Sequence, residues 1–366
     1  MSGLPVAVIG AGWWATEFHI PGLLEHDGAD LVAIVEANPE RREAAARHFG
    51  VDNAYASVDE LLASGKAEAA VVATPSGTHY EVARACLASG VHVMVEKPMV
   101  IEPAHAADLT LEAERRSLIL TVGYTYQHTN AAKIAKACYE AGDIGDIVHA
   151  PALFASMVEA YYRGTPGDYQ EIFEWTLTGP DPTTYSDPKR AGGGQAQTQV
   201  THAIGLQLNT LGQRVRRVYA EMDDRGLPVD IVDAFTYRLQ DGAIGGLSST
   251  GNLRPREQHQ RLNYYYGDRG YLIHDLQAGT LVAQTPGRGL WGVAGDEVGD
   301  PYPATATARH LIDLVTGRAT TNLAPGRTAT WAVEFLAAAR ESALSGAAVD
   351  VEDSLAAAAG RSPAHD

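Results

Sequence analysis

The sequence predicts a doubly wound α/β domain, residues 1–123, followed by an α+β domain, residues 124–366, built on a large, mostly antiparallel open sheet. Three observations carry this. Up to Gly123, short β-branched runs alternate with amphipathic stretches, the pattern of a parallel sheet with helices on both faces. Those runs are apolar almost throughout, as strands buried on both sides must be. Beyond Gly123 the strands lengthen and alternate residue by residue, punctuated by Asp241-Gly242 and Gly267-Asp268, which reads as hairpins with one buried face.

Taken in order, the predicted strands of the first domain are 6–9, 31–35, 69–73, 91–95 and 118–122, with helical patterns starting near Trp13, Pro39, His79 and Pro103 and a shorter one over 58–62. In the second domain a helix over 130–141 ends at Gly142, strands follow at 234–239, 244–250 and 262–266, and helices over 305–316 and 327–345 close the chain. The Ala-rich stretch 356–366 is expected to fray. An antiparallel sheet with helices on one face leaves the other open, so the expected assembly is a homodimer or homotetramer joined through that face.

Composition narrows the function. A chain of 366 residues, 45% apolar and 20% charged, holds more than one ordinary core. A net charge of −17 argues against a nucleic-acid partner, because no basic surplus exists to neutralise phosphates. The chain has neither a leader pattern nor a run of about 18 apolar residues, so a cytoplasmic protein with no membrane partner is expected. Cys86 and Cys138 fall in helical patterns and read as small buried apolar residues, and the scattered histidines lack ligand spacing, so no metal site is expected.

The chemistry begins at Gly10-Ala11-Gly12-Trp13-Trp14-Ala15, directly after the first strand. The first glycine makes a tight turn, the second admits a pyrophosphate to the backbone, and small Ala15 lets helix and strand pack closely. Phosphates then meet the helix N-terminus, which makes this a Rossmann dinucleotide-binding domain. Glu36 ends the second strand, where a carboxylate accepts hydrogen bonds from ribose hydroxyls and repels a 2′-phosphate. With Ala37 next, and Arg41 and Arg42 inside the following helix, NAD is favoured over NADP; the alternative role for Glu36 is capping the helix at Pro39. Thr74-Pro75-Ser76 follows the third long strand at the ligand-binding edge, with Ser76 and Thr78 also suited to capping the next helix. His79 is either a cofactor contact or a solvated residue of that helix's first turn. In Glu96-Lys97-Pro98, a lysine sits at the end of a buried strand, where its charge is costly unless used, and the proline holds the turn presenting it.

These segments, with Thr74-Pro75-Ser76-Gly77-Thr78-His79, the run from Gly90 to Pro98, Val122-Gly123-Tyr124, Gly192-Gly193-Gly194 and His202, resemble the glucose-fructose oxidoreductase, inositol dehydrogenase and rhizopine-catabolism (Gfo/Idh/MocA) family. The resemblance implies an NAD(P)-dependent enzyme that moves a hydride between nicotinamide and a carbinol carbon of a small-molecule sugar, glycoside or cyclitol. It implies that Lys97 orients the reacting hydroxyl and that His202 is the general base. Cofactor contacts are expected from Gly10, Gly12, Trp13, Trp14, Ala15, Glu36, Thr74, Pro75, Ser76, His79, Glu96 and Lys97. Family members commonly carry an aspartate four residues before the base; here it is Thr198, and Gly205 stands where another acid is frequent. Thr198 and Gln199 share the helical face of His202, so a neutral hydrogen-bonding array is expected to replace the acid. Tyr124, Gln127, His128 and Arg163, with neighbouring tyrosines, are candidate substrate contacts. Two further functions fit the motifs: a redox-neutral enzyme with tightly held NAD, such as an epimerase or a glycoside-cleaving enzyme, and a non-catalytic NAD-binding protein.

Overall fold

The computed structural model describes residues 3–360. The first sheet comprises β1 (Leu4–Ile9), β2 (Ala29–Val35), β3 (Ala54–Tyr55), β4 (Ala69–Val72), β5 (His92–Val95) and β6 (Leu120–Val122). All pair in parallel, in the order β3-β2-β1-β4-β5-β6. Val6, Ala7, Val8 and the whole of β4 have no exposed surface, which is why these strands read as unbroken apolar runs. The chain leaves β1 toward β2 and returns to β4 on its other side. This reversal opens a crevice at the carboxyl ends of β1 and β4, where ligands of such sheets bind.

The second sheet has nine strands: β7 (Ile147–Ala155), β8 (Val215–Asp223), β9 (Val232–Leu239), β10 (Ile244–Thr250), β11 (Gln260–Gly267), β12 (Tyr271–Asp275), β13 (Thr280–Thr285), β14 (Gly289–Val293) and β15 (Val349–Asp350). Their order is β14-β13-β12-β11-β7-β10-β9-β8-β15, and only the β7–β10 pair is parallel. Asp241-Gly242 joins β9 to β10 and Gly267-Asp268 joins β11 to β12, as the turn signals predict. Helices Asn130–Glu140, Thr201–Leu211 and Gly326–Ser345 cover one face. The other exposes Tyr219, Ile244, Tyr266, Val282 and Leu290.

Three features toward the C-terminal end depart from the expected elements. Helix Ala306–Val315 crosses back to the first sheet, burying Ala308, Leu311 and Ile312 against Val6, Val8 and Met94. Helix Gly326–Ser345 serves both cores, with Ala329 and Val333 on one side and Ala332 and Phe335 on the other. The stretch expected to fray is helical over Ser354–Ala359, where Asp353 caps the helix by accepting the Ala356 N–H; residues 361–366 lie outside the described residues.

Candidate active site

One cleft of about 760 Å³ runs from the glycine turn of β1 to the second sheet. At its first-domain end, Gly10 has φ +97°, and a Cβ there would lie 2.6 Å from the Ala73 carbonyl oxygen, so the turn admits only glycine. A Cβ on Gly12 would meet nothing within 4 Å, leaving the backbone open to the cleft. Glu36 joins the second strand to this turn: Oε2 accepts the Ala11 N–H at 3.0 Å, and Oε1 accepts the Asn38 N–H at 2.9 Å. Asn38, not Glu36, caps the helix, taking the Arg41 N–H. Arg41 is not confined to that helix's surface; its guanidinium reaches back to Glu36 at 3.3 Å and lines the cleft. An open glycine turn beside a carboxylate at the end of β2 fits a dinucleotide's pyrophosphate and ribose.

The edge loops are braced from behind. His79 is buried, with Nε2 2.8 Å from the Thr74 carbonyl and Nδ1 2.9 Å from that of Pro98, so it ties the loop after β4 to the loop after β5. Burial holds its pKa below the usual histidine value. Thr78 stands at the N-cap position of the following helix, but its side chain makes no capping bond; its hydroxyl donates to Pro75 O at 2.8 Å. Trp13 lines the cleft against Tyr161, and Trp14 donates Nε1–H to Glu96 at 3.1 Å.

Beyond the expected cofactor edge, the two domains bring their polar residues together. Glu96 is buried in the first domain, which raises its pKa, but His19 at 3.0 Å and Lys97, through its charge and its backbone N–H, outweigh this and hold the pKa low; Trp14 also donates to the carboxylate. Lys97 donates Nζ–H to the Thr198 carbonyl at 3.1 Å, a bond between residues 101 apart in sequence. Burial and the nearby Arg261 lower the Lys97 pKa, with Glu96 opposing. His202 stacks on Phe154 at 6.2 Å and meets Tyr126 edge-on at 5.5 Å. Its Nδ1 is buried without a partner, so it is not a satisfied core histidine. Burial first, then Lys97 and Arg261, push its pKa well below the usual value.

The neutral array expected around His202 is built differently. Thr198 Oγ1 bonds Tyr162 Oη at 2.6 Å and the Gly194 carbonyl at 2.9 Å, so it anchors its own helix while its carbonyl serves Lys97. Gln199 lines the cleft. A Cβ on Gly205 would lie 2.9 Å from the Tyr124 ring, which fills the space beside this position. Four candidate substrate contacts lie outside the cleft walls. Tyr124 is buried and bonds Thr201 at 2.9 Å; Gln127 donates to Gly205 O at 3.2 Å; His128 packs edge-on against His310; and Arg163 pairs with Glu159 on the surface. Within the tight turn Thr125–His128, Tyr126 is the side chain that faces the cleft.

Three participants are absent from the sequence-level candidates. His19 supports Glu96. Asp230 fixes the start of the His202 helix, accepting the Gly194 N–H at 2.8 Å and the Ala196 N–H at 2.7 Å. Arg261 stands on β11 on the same face as Asn263 and Tyr265, both fully buried. A charged residue on the inward parity of an alternating strand was the available signal.

Comparison with known proteins agrees with the fold of the first domain. Residues 4–124 match the Gfo/Idh/MocA model, described as "Oxidoreductase family, NAD-binding Rossmann fold". The first domain is a Gfo/Idh/MocA NAD-binding domain. An uncharacterised oxidoreductase of Schizosaccharomyces pombe is 30% identical over 174 residues, 47% of this chain and 46% of that protein. Levoglucosan dehydrogenase of Pseudarthrobacter phenanthrenivorans is 25% identical over 67% of this chain and 64% of its own length. The chain thus spans less than two thirds of these curated relatives. For the whole fold, an oxidoreductase domain protein of Kribbella flavida superposes with a TM-score of 0.80 at 21% identity, covering 96% of this chain and 100% of that one. The likeness in fold therefore extends through the second domain. Among the described residues, no helix is long and apolar enough to cross a membrane.

Proposed function

We propose that the protein is an NAD-dependent oxidoreductase that moves a hydride between nicotinamide and a ring carbinol of a sugar, glycoside or cyclitol. The observation that carries this reading is the meeting of Lys97, on the edge of the Rossmann sheet, with His202, on a helix of the second domain, in the cleft that opens at the glycine turn. Bound NAD supplies the hydride acceptor. Oxidising a carbinol also requires removal of its hydroxyl proton, and His202, neutral at physiological pH, accepts it. The Lys97 ammonium, aimed by the Thr198 carbonyl, stabilises the negative charge that develops on the oxygen. Phe154, Tyr126, Tyr161 and Tyr302 supply flat walls suited to a sugar ring.

The test is a screen of polyols, aldoses and glycosides for growth of NADH absorbance, with product analysis alongside. Net NADH with oxidised product supports the dehydrogenase. Product without net NADH assigns the same residues to a redox-neutral reaction with retained NAD. Stoichiometric NAD binding without turnover of any sugar contradicts both.

A further inference from the structure

The substrate end of the cleft carries a cation that the protein leaves uncompensated. Arg261 donates Nη1–H to Tyr126 Oη at 2.5 Å and Nη2–H to His259 Nδ1 at 2.6 Å, and its guanidinium carbon lies 5.1 Å from the centre of the Phe154 ring. Its Nε is buried without a partner, and among the described residues no carboxylate comes within ion-pair distance of it. Arginine has five N–H donors, so three remain without a protein acceptor. His259 accepts as a neutral ring, its pKa lowered to about 4 by burial and by Arg261. Lys97, the second cation here, rests on a backbone carbonyl; Glu96 is occupied by Trp14, His19 and the Lys97 N–H, and Asp275, whose charge reaches Tyr126, accepts the Gln277 and Ala278 N–H groups and forms no ion pair with Arg261. In a chain of net charge −17, this end of the cleft has a local excess of positive charge. Arg261 is half-buried with its Nε fully enclosed, and a guanidinium partly removed from water without an anion is unfavourable unless a ligand supplies one.

We infer that the substrate is an acidic sugar, whose carboxylate or phosphate is held by Arg261 while Lys97 and His202 attend the reacting carbinol. This rests on the sugar-oxidoreductase reading of the same cleft. It also bears on catalysis. Lys97 and Arg261 both disfavour a protonated His202, leaving it available but a weak base. An anion delivered by the substrate offsets that charge and strengthens the base only when substrate is present.

Fluorescence titration of the protein–NADH complex tests this with glucose against glucuronate, galactose against galacturonate, mannose against mannuronate, and glucose 6-phosphate. At least one acidic sugar should bind about tenfold or more tightly than its neutral counterpart, the size expected for charge-assisted hydrogen bonds. The carboxylate and phosphate arms then distinguish the two anions. Arg261→Gln should bring that sugar to the neutral level with NADH affinity unchanged, and Arg261→Lys should keep part of the preference. For the acidic sugar, the acid limb of kcat should lie at higher pH than that of kcat/KM. Equal binding of every acidic and neutral pair by the wild-type protein overturns the inference, as does a preference that survives Arg261→Gln. Binding is read without turnover, so failure here is separate from failure to form NADH.

Discussion

Burial and two neighbouring cations keep His202 neutral, and this sets its pH behaviour. A base whose pKa is depressed stays unprotonated to lower pH, so the acid limb of kcat/KM should lie well below 6.5, the ordinary histidine value. Lys97 is also shifted down, so the basic limb should fall below 10.5. A pH profile with its acid limb at or above 6.5 contradicts the assignment of His202 as the base in this environment. Glu36 governs the other end of the cleft. With its carboxylate in place NAD should be preferred to NADP by more than tenfold, and Glu36→Ala should weaken NAD by about tenfold, the cost of lost charge-assisted bonds. It should also narrow the preference, because it frees the Arg41 guanidinium that Glu36 now engages. Steady-state KM values for both cofactors decide this, and a wild-type preference for NADP runs against it. The glycines, Glu36, Lys97 and His202 were legible because each carries its chemistry in its residue type and position. The inward parity of Arg261 on its strand was readable, but its role was not, because that depends on what it lacks, and an absent ion pair cannot be read from spacing.

At the scale of elements, the helix that carries His202 is held at its start by a residue from the strand side of the domain. Asp230 takes the N–H groups of Gly194 and Ala196 on its two oxygens, and its carbonyl takes that of Gln195 at 2.9 Å. Asp230→Ala should cost about 1–2 kcal/mol of stability, the value of a lost cap, and should lower kcat more than it raises KM by loosening His202. Thermal melts and kinetics check this together, and a variant with wild-type Tm and kcat contradicts it. The strands of the first sheet were legible because burial on both faces leaves them no polar positions. The hairpins of the second sheet followed from Asp241-Gly242 and Gly267-Asp268. The parallel pairing of β7 with β10 did not, since it joins Ile244 to His149 across the intervening cleft segment, and no local pattern records so distant a partner. The return of helix Ala306–Val315 to the first sheet escaped for the same reason: its apolar stripe shows that it packs, not against what.

At the scale of the whole molecule, the second sheet presents Tyr219, Ile244, Tyr266, Val282 and Leu290 to solvent on one face. We propose that two copies pair through it, because this face carries an exposed large apolar side chain on each of five strands. Light scattering should give a dimer or tetramer, and Ile244→Glu with Val282→Glu should give monomers; a wild-type monomer at micromolar concentration contradicts the pairing. The same architecture makes the central claim testable, since each domain contributes one half of the proton-handling pair to a cleft that the other half cannot complete. The most direct measurement compares wild type with Lys97→Ala and His202→Ala for NADH formation on a turned-over sugar, with NADH affinity read by fluorescence. Each variant should lose about 10²–10⁴-fold in kcat, the usual contribution of a positioned acid or base, while NADH affinity stays within about twofold in His202→Ala. Both variants turning over at wild-type rates would contradict the claim.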